Sequence, residues 1–170
     1  MKNLTIIFTL LLFAVTNPIF ACSCESLGDF LAVAPKSKLV ALVKINRYLT
    51  FENIYNKPIP MSMEVEIITV FHGQEERKTM VVWGDNGILC RPYLNTFAID
   101  NFYIIAFEQG GIGRINSENE KRTDYAISIC GEYWLSADNK KKIATGSVSK
   151  SQDKISFGDL WKYFNESKPG

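Results

Sequence analysis

The residues of this chain best placed to do chemistry are four cysteines, Cys22, Cys24, Cys90 and Cys130, the first two separated only by Ser23. Three chemistries compete for them. A Cys-Ser-Cys dithiol could be redox-active, but catalytic dithiols normally sit as Cys-x-x-Cys at a helix start. Four thiolates could hold a metal, but that arrangement suits paired Cys-x-x-Cys knuckles in a reducing compartment. An even cysteine count in an exported chain reads instead as two disulfides. Cys22 and Cys24 are too close to bond each other, since disulfide geometry is narrow. This leaves Cys22–Cys90 with Cys24–Cys130, or the crossed pairing. Either arrangement closes loops of roughly 70 and 110 residues, each worth about 4–5 kcal/mol in the chain-entropy description.

A further chemistry follows if Cys22 is the first residue of the processed chain. Its α-amine and carbonyl then lie close enough to chelate one metal. An α-amine has a pKa of about 7.7–8, so part of it is neutral and able to donate its lone pair at neutral pH. Other candidates are weaker. His72 is the lone histidine, at the end of an apolar alternation, and reads as structural or surface. Asp85 and Asp100 form no pair that their spacing favours over solvated loop charges. There is no His-Glu-x-x-His, Gly-x-Ser-x-Gly or P-loop motif. The expectation is a protein that is not an enzyme and carries no cofactor of its own.

Export is read from the first residues. Lys2 precedes an apolar run from Leu4 to Val15, and Ala21 offers a small residue before a cut. The run is short of the about 20 residues that span a bilayer, so residues 1–21 are expected to be a signal peptide. Cleavage there leaves Cys22 first. Because Lys2 is the only charge removed, 18 basic residues then face 18 acidic ones. A neutral balance gives no footprint for nucleic acid, and no second apolar span argues for a transmembrane protein. The expected location is secreted, extracellular or periplasmic. Lipid attachment at Cys22 competes with simple secretion, although Phe20 is bulky where the lipoprotein box has a small residue. Acylation would remove the free amine.

The remaining chain, 22–170, reads as one domain. Ser26-Leu27-Gly28-Asp29 resembles a capping box before a short helix at 26–34, stopped by Pro35. Strands are expected at 37–48, from Met61 through Ile67 toward Gly73, at 78–83, at 97–107 and at 125–129. Residues 53–60 and 108–122 read as loops, and the apolar phase switches at Ile68, which implies a bulge. Ser156-Phe157-Gly158-Asp159 opens an amphipathic helix near 156–166, with Phe157, Leu160, Trp161 and Phe164 on one stripe. Five strands with a short helix at each end fit an all-β fold, a closed five-stranded OB-like barrel.

In order and spacing this pattern resembles the N-terminal domain of the tissue inhibitors of metalloproteinases and, more broadly, the netrin-like module. The residues that carry the resemblance are Cys22-Ser23-Cys24 directly after the cut, the Pro-containing stretch Tyr55-Asn56-Lys57-Pro58-Ile59, the strand Glu66 to Gly73 with its closing Phe-x-Gly, Cys90 after a loop, and Cys130-Gly131-Glu132-Tyr133-Trp134-Leu135. The resemblance implies the pairing Cys22–Cys90 and Cys24–Cys130. It implies that the amine and carbonyl of Cys22 chelate the zinc of a target metalloprotease and displace its catalytic water. Ser23 would point into the S1′ pocket of that protease, with Ile88 and Leu89 packed beside the ridge formed by Cys22, Ser23 and Cys24. The chain departs from the family in having no counterpart of its third disulfide or of its second domain, and the terminal helix is expected to cover an open barrel edge instead. Many netrin-like domains inhibit nothing and bind other proteins, which is the alternative reading.

Overall fold

A computed structural model describes residues 24–54, 56–112 and 116–166. Residues 1–21, where the signal peptide is expected, and Cys22 and Ser23 lie outside the described residues. Among the described residues, eight strands and two α-helices run in the order α1 (Phe30–Val33), β1 (Leu39–Ile54), β2 (Lys57–His72), β3 (Thr79–Trp83), β4 (Phe102–Gln109), β5 (Tyr125–Ala126), β6 (Trp134–Asp138), β7 (Ile143–Ser149), β8 (Gln152–Ser156) and α2 (Phe157–Asn165).

The first five strands close a barrel. β1 pairs antiparallel with β2, β2 with β3, β3 runs parallel to β5, β5 pairs with β4, and β4 returns to β1 through Leu39↔Phe107 to Lys44↔Phe102. β6, β7 and β8 extend the sheet from the other edge of β4. The fold is therefore all-β with an OB-like five-stranded barrel and two short flanking helices.

Bulges give β1 and β2 the curvature that closure needs. Val43 pairs with Ile67 and Leu42 with Thr69, which leaves Ile68 as the extra residue at the phase switch seen in the sequence. A second slip leaves Phe71 unmatched between Val70 and His72, and this turns the Phe71 ring into the core. The first bulge explains why Ile68 is exposed although the phase switch placed it on the apolar face.

One apolar cluster runs through the barrel strands and both helices, with Phe30, Leu39, Ile45, Met63, Ile104 and Phe107 at or near zero exposure. α1 is shorter than expected. Asp29, not Ser26, is its N-cap, and a 3-10 turn at Ala34–Lys36 follows, with Pro35 at its start. α2 has the expected cap: Ser156 Oγ accepts from Asp159 N at 3.0 Å. It rests against the end of β2 beyond the last β2–β3 pair, with Phe157 edge-on to Phe71 and Phe164 stacked on His72 at 5.3 Å. Tyr163 Oη donates to Leu31 O at 3.0 Å and joins α2 to α1.

Three expectations need correction. Residues 53–60 are not a loop: apart from the turn around Asn56 they are the paired ends of β1 and β2. The strand expected at 97–107 begins only at Phe102, because a 3-10 turn occupies Leu94–Thr96 and Asp100 is left-handed at φ 65°. The strand expected at 125–129 is two residues long.

Candidate functional site

Three stretches meet where the cysteines lie. The N-terminal stretch 24–28 runs beside the segment after β5: Leu27 N donates to Cys130 O at 2.7 Å and Glu132 N to Gly28 O at 3.0 Å. Gly131 permits this approach, since a Cβ there would lie 3.0 Å from Gly28 O and 2.9 Å from Val33 Cγ1. The loop after β3 joins the same segment through Ile129 N, which donates to Cys90 O at 3.2 Å.

Cys24 and Cys130 are joined by a disulfide, with Cα atoms 5.5 Å apart and 106 residues between them in sequence. The Sγ atoms of Cys24, Cys90 and Cys130 all lie within 4.8 Å of one another. Cys90 is itself disulfide-bonded, and the expected Cys22–Cys90 pairing involves a residue outside the described ones. Among the described residues there is no free cysteine. Bonded sulfurs are not thiolate ligands, so the reading of this cluster as a four-thiolate metal site is set aside.

Around the sulfur cluster the chain is apolar and exposed. Ile88 is 53 % exposed, Leu27 54 % and Ile129 43 %, whereas Leu89 is half-buried. The loop carrying Ile88 and Leu89 is held from within: Asp85 Oδ1 accepts from Leu89 N at 2.7 Å, and Asn86 Oδ1 accepts from Ile88 N at 3.3 Å. Asp85 therefore serves its own loop. Asp100 forms a salt bridge with Lys44 at 2.7 Å, so the two aspartates do not form a carboxylate pair. His72 faces Phe164 on the terminal helix and belongs to packing.

Behind Cys90 lies a buried ion pair that the sequence did not single out. Arg91 donates two hydrogen bonds to Glu120, at 2.8 and 2.9 Å, and the Glu120 side chain has no solvent exposure. Glu120 also accepts from Gly111 N at 2.8 Å and from Ser117 N at 3.1 Å. Burial alone would raise its pKa, but the Arg91 hydrogen bonds and the two backbone donors outweigh it, so the carboxyl is held below its ordinary range. Nearby, Trp83 Nε1 donates to the buried Asp124 Oδ2 at 2.9 Å and ties the end of β3 to the segment before β5. The polar loop after β4 is thus the support for the loop that carries Cys90. The signal was two opposite charges in loops 29 residues apart, a pattern that unpaired surface charges also produce.

Chemically the site is a covalently fastened edge of backbone flanked by exposed apolar side chains, built on a rigid base. The chain matches no protein-family model and no curated protein.

Proposed function

We propose that this chain, once cut before Cys22, is an exported inhibitor of a zinc metalloprotease, binding in the manner of the N-terminal domain of the tissue inhibitors of metalloproteinases. The observation that supports this reading is the sulfur cluster. Cys24 is fastened to Cys130, with Cys90 within 4.8 Å, and Ile88 and Leu89 immediately precede Cys90. A backbone edge fixed in advance loses little freedom on binding, which lowers the cost of association. A catalytic zinc keeps an open position for water, and a bidentate amine–carbonyl ligand from Cys22 would fill it. Ser23 would enter the S1′ pocket, and the exposed Ile88 would cover the adjoining protease surface.

The test begins with mass spectrometry of the N-terminus of the exported protein, followed by titration against the catalytic domain of a secreted zinc metalloprotease. A free Cys22 amine with inhibition that disappears on carbamylation, or on adding one alanine before Cys22, supports the proposal. Inhibition should also fall below about pH 7, because the protonated amine has no lone pair to give. Inhibition that survives carbamylation refutes the zinc-chelating mechanism. An acylated native Cys22 refutes it too, and would leave a lipid-anchored, netrin-like protein-binding module.

A further inference from the structure

The sheet extension carries a second concave surface that owes nothing to the cysteine edge. The register sets Tyr103 opposite Ser136, Ser136 opposite Thr145, and Thr145 opposite Lys154, so one row of side chains crosses β4, β6, β7 and β8 on a single face. This row forms part of the wall of an open cavity of about 730 Å³, closed at one end by the β6–β7 turn with Lys140 and Lys141. The wall is hydroxyl-bearing: Ser136 and Thr145 are exposed, and neither their oxygens nor the amines of Lys140 and Lys154 have a hydrogen-bond or ion-pair partner among the described residues. Lys141 reaches Asp138 at 3.4 Å, and the Asp138 carboxylate is held in its turn by Lys140 N and Lys141 N, both at 3.0 Å.

The charge here contrasts with the rest of the chain. Residues 138–154 contain five lysines and two aspartates, whereas the whole chain is +1. Lys142 is already engaged with Asn139 Oδ1 and the Phe157 ring. Three lysines from a turn and a separate strand therefore converge on one hollow with a single carboxylate among them. Solvated surface lysines repel and spread apart, and a cationic hollow lined with hydroxyl donors is what a tetrahedral oxyanion requires.

We propose that this groove is a binding site for a phosphate ester, held by Lys140, Lys141 and Lys154 and oriented by the hydroxyls of Ser136 and Thr145. The source is a free phosphomonoester or the phosphodiester of a lipid headgroup, and both present anionic phosphate oxygens to the lysines and hydroxyls of the groove.

Calorimetric titration of the intact oxidised protein with glycerol phosphate at low salt, and sedimentation with phosphatidylglycerol or phosphatidylcholine vesicles, test it. Binding of glycerol phosphate identifies a free ester. Binding of phosphatidylglycerol vesicles alone identifies the headgroup. The triple substitution Lys140→Gln, Lys141→Gln and Lys154→Gln is expected to weaken whichever binding occurs by about tenfold or more, the scale of lost charge-assisted hydrogen bonds. Lys150→Gln, outside the groove, should leave it unchanged. Thr145→Val should weaken it severalfold while leaving the melting temperature of the free protein in place. The proposal is overturned if neither probe binds, if Lys150→Gln weakens binding as much as the triple variant, or if Thr145→Val has no effect, since attraction would then be diffuse charge and not a site.

Discussion

Replacing Glu120 by Gln tests whether the cysteine edge rests on a buried ion pair. The substitution keeps the shape and removes the charge. Glu120 has no side-chain exposure and Arg91 is 13 % exposed, with donor–acceptor distances of 2.8 and 2.9 Å. At an effective dielectric of about 20, unit charges about 3 Å apart attract by roughly 5 kcal/mol, and breaking one side of a buried pair typically costs about 3–5 kcal/mol. The expected loss is in that range, equivalent to a fall in melting temperature of roughly 10 °C for a domain of this size. Urea unfolding followed by tryptophan fluorescence, under non-reducing conditions, measures it directly. Arg91→Met with Glu120→Met should cost less than the sum of the single changes, and what remains should reflect Gly111 N and Ser117 N left without an acceptor, about 1–3 kcal/mol each. A loss below about 1 kcal/mol for Glu120→Gln would show that the pair behaves as a solvated surface bridge and does not support the Cys90 loop.

Three other outcomes are expected. Glu75 is bound by Arg77 and Tyr125 Oη, and the Arg77 hydrogen bond, against the upward push of burial, takes its pKa down to about 2. A depressed folded-state pKa means that its contribution to stability is present above about 4.5 and is lost as pH falls toward 2, so Glu75→Gln should flatten the acid limb of the stability curve in pH-dependent urea unfolding. Replacing Cys24 and Cys130 together by Ser opens a loop with a sequence separation of 106 and should cost about 4–5 kcal/mol of unfolding free energy, measured by denaturant titration. Ser156→Ala removes the α2 cap and should cost about 1 kcal/mol, with amide exchange of the first turn of α2 accelerating before that of the barrel.

The five barrel strands were legible because each is buried on at least one face and its apolar residues sit close together. Met61, Met63 and Val65 alternate cleanly, and even the bulge at Ile68 announced itself as a change of phase. The β6–β8 extension went unread for the opposite reason. Its inward residues Leu135, Ala144, Val148 and Ile155 are scattered among lysines, serines and glycine, because its other face is open to solvent. The stretch at 53–60 read as a loop from its prolines, yet Pro58 and Pro60 sit near the free end of a long hairpin, where a strand tolerates a missing N–H. At the site, cysteine spacing left two pairings open, and nothing local could have joined Arg91 to Glu120. That pair exists only once the loops after β3 and β4 have been brought together.

The closure of the barrel carries a kinetic consequence. β1 and β2 are neighbours in sequence and can zip from their turn outward, but β1 finds its second partner only when Leu39 meets Phe107, 68 positions later. A fold assembled from such distant pairings forms slowly, because the entropy of a large loop must be surrendered before its contacts return anything. β3 adds to β2 over a short connection, so the β1–β2–β3 meander would then wait with the outer flank of β1 free until β4 arrives. Pulse-labelled hydrogen exchange during oxidative refolding should show β1–β2 amides protected first and β4 amides later, and simultaneous protection would exclude this order of assembly.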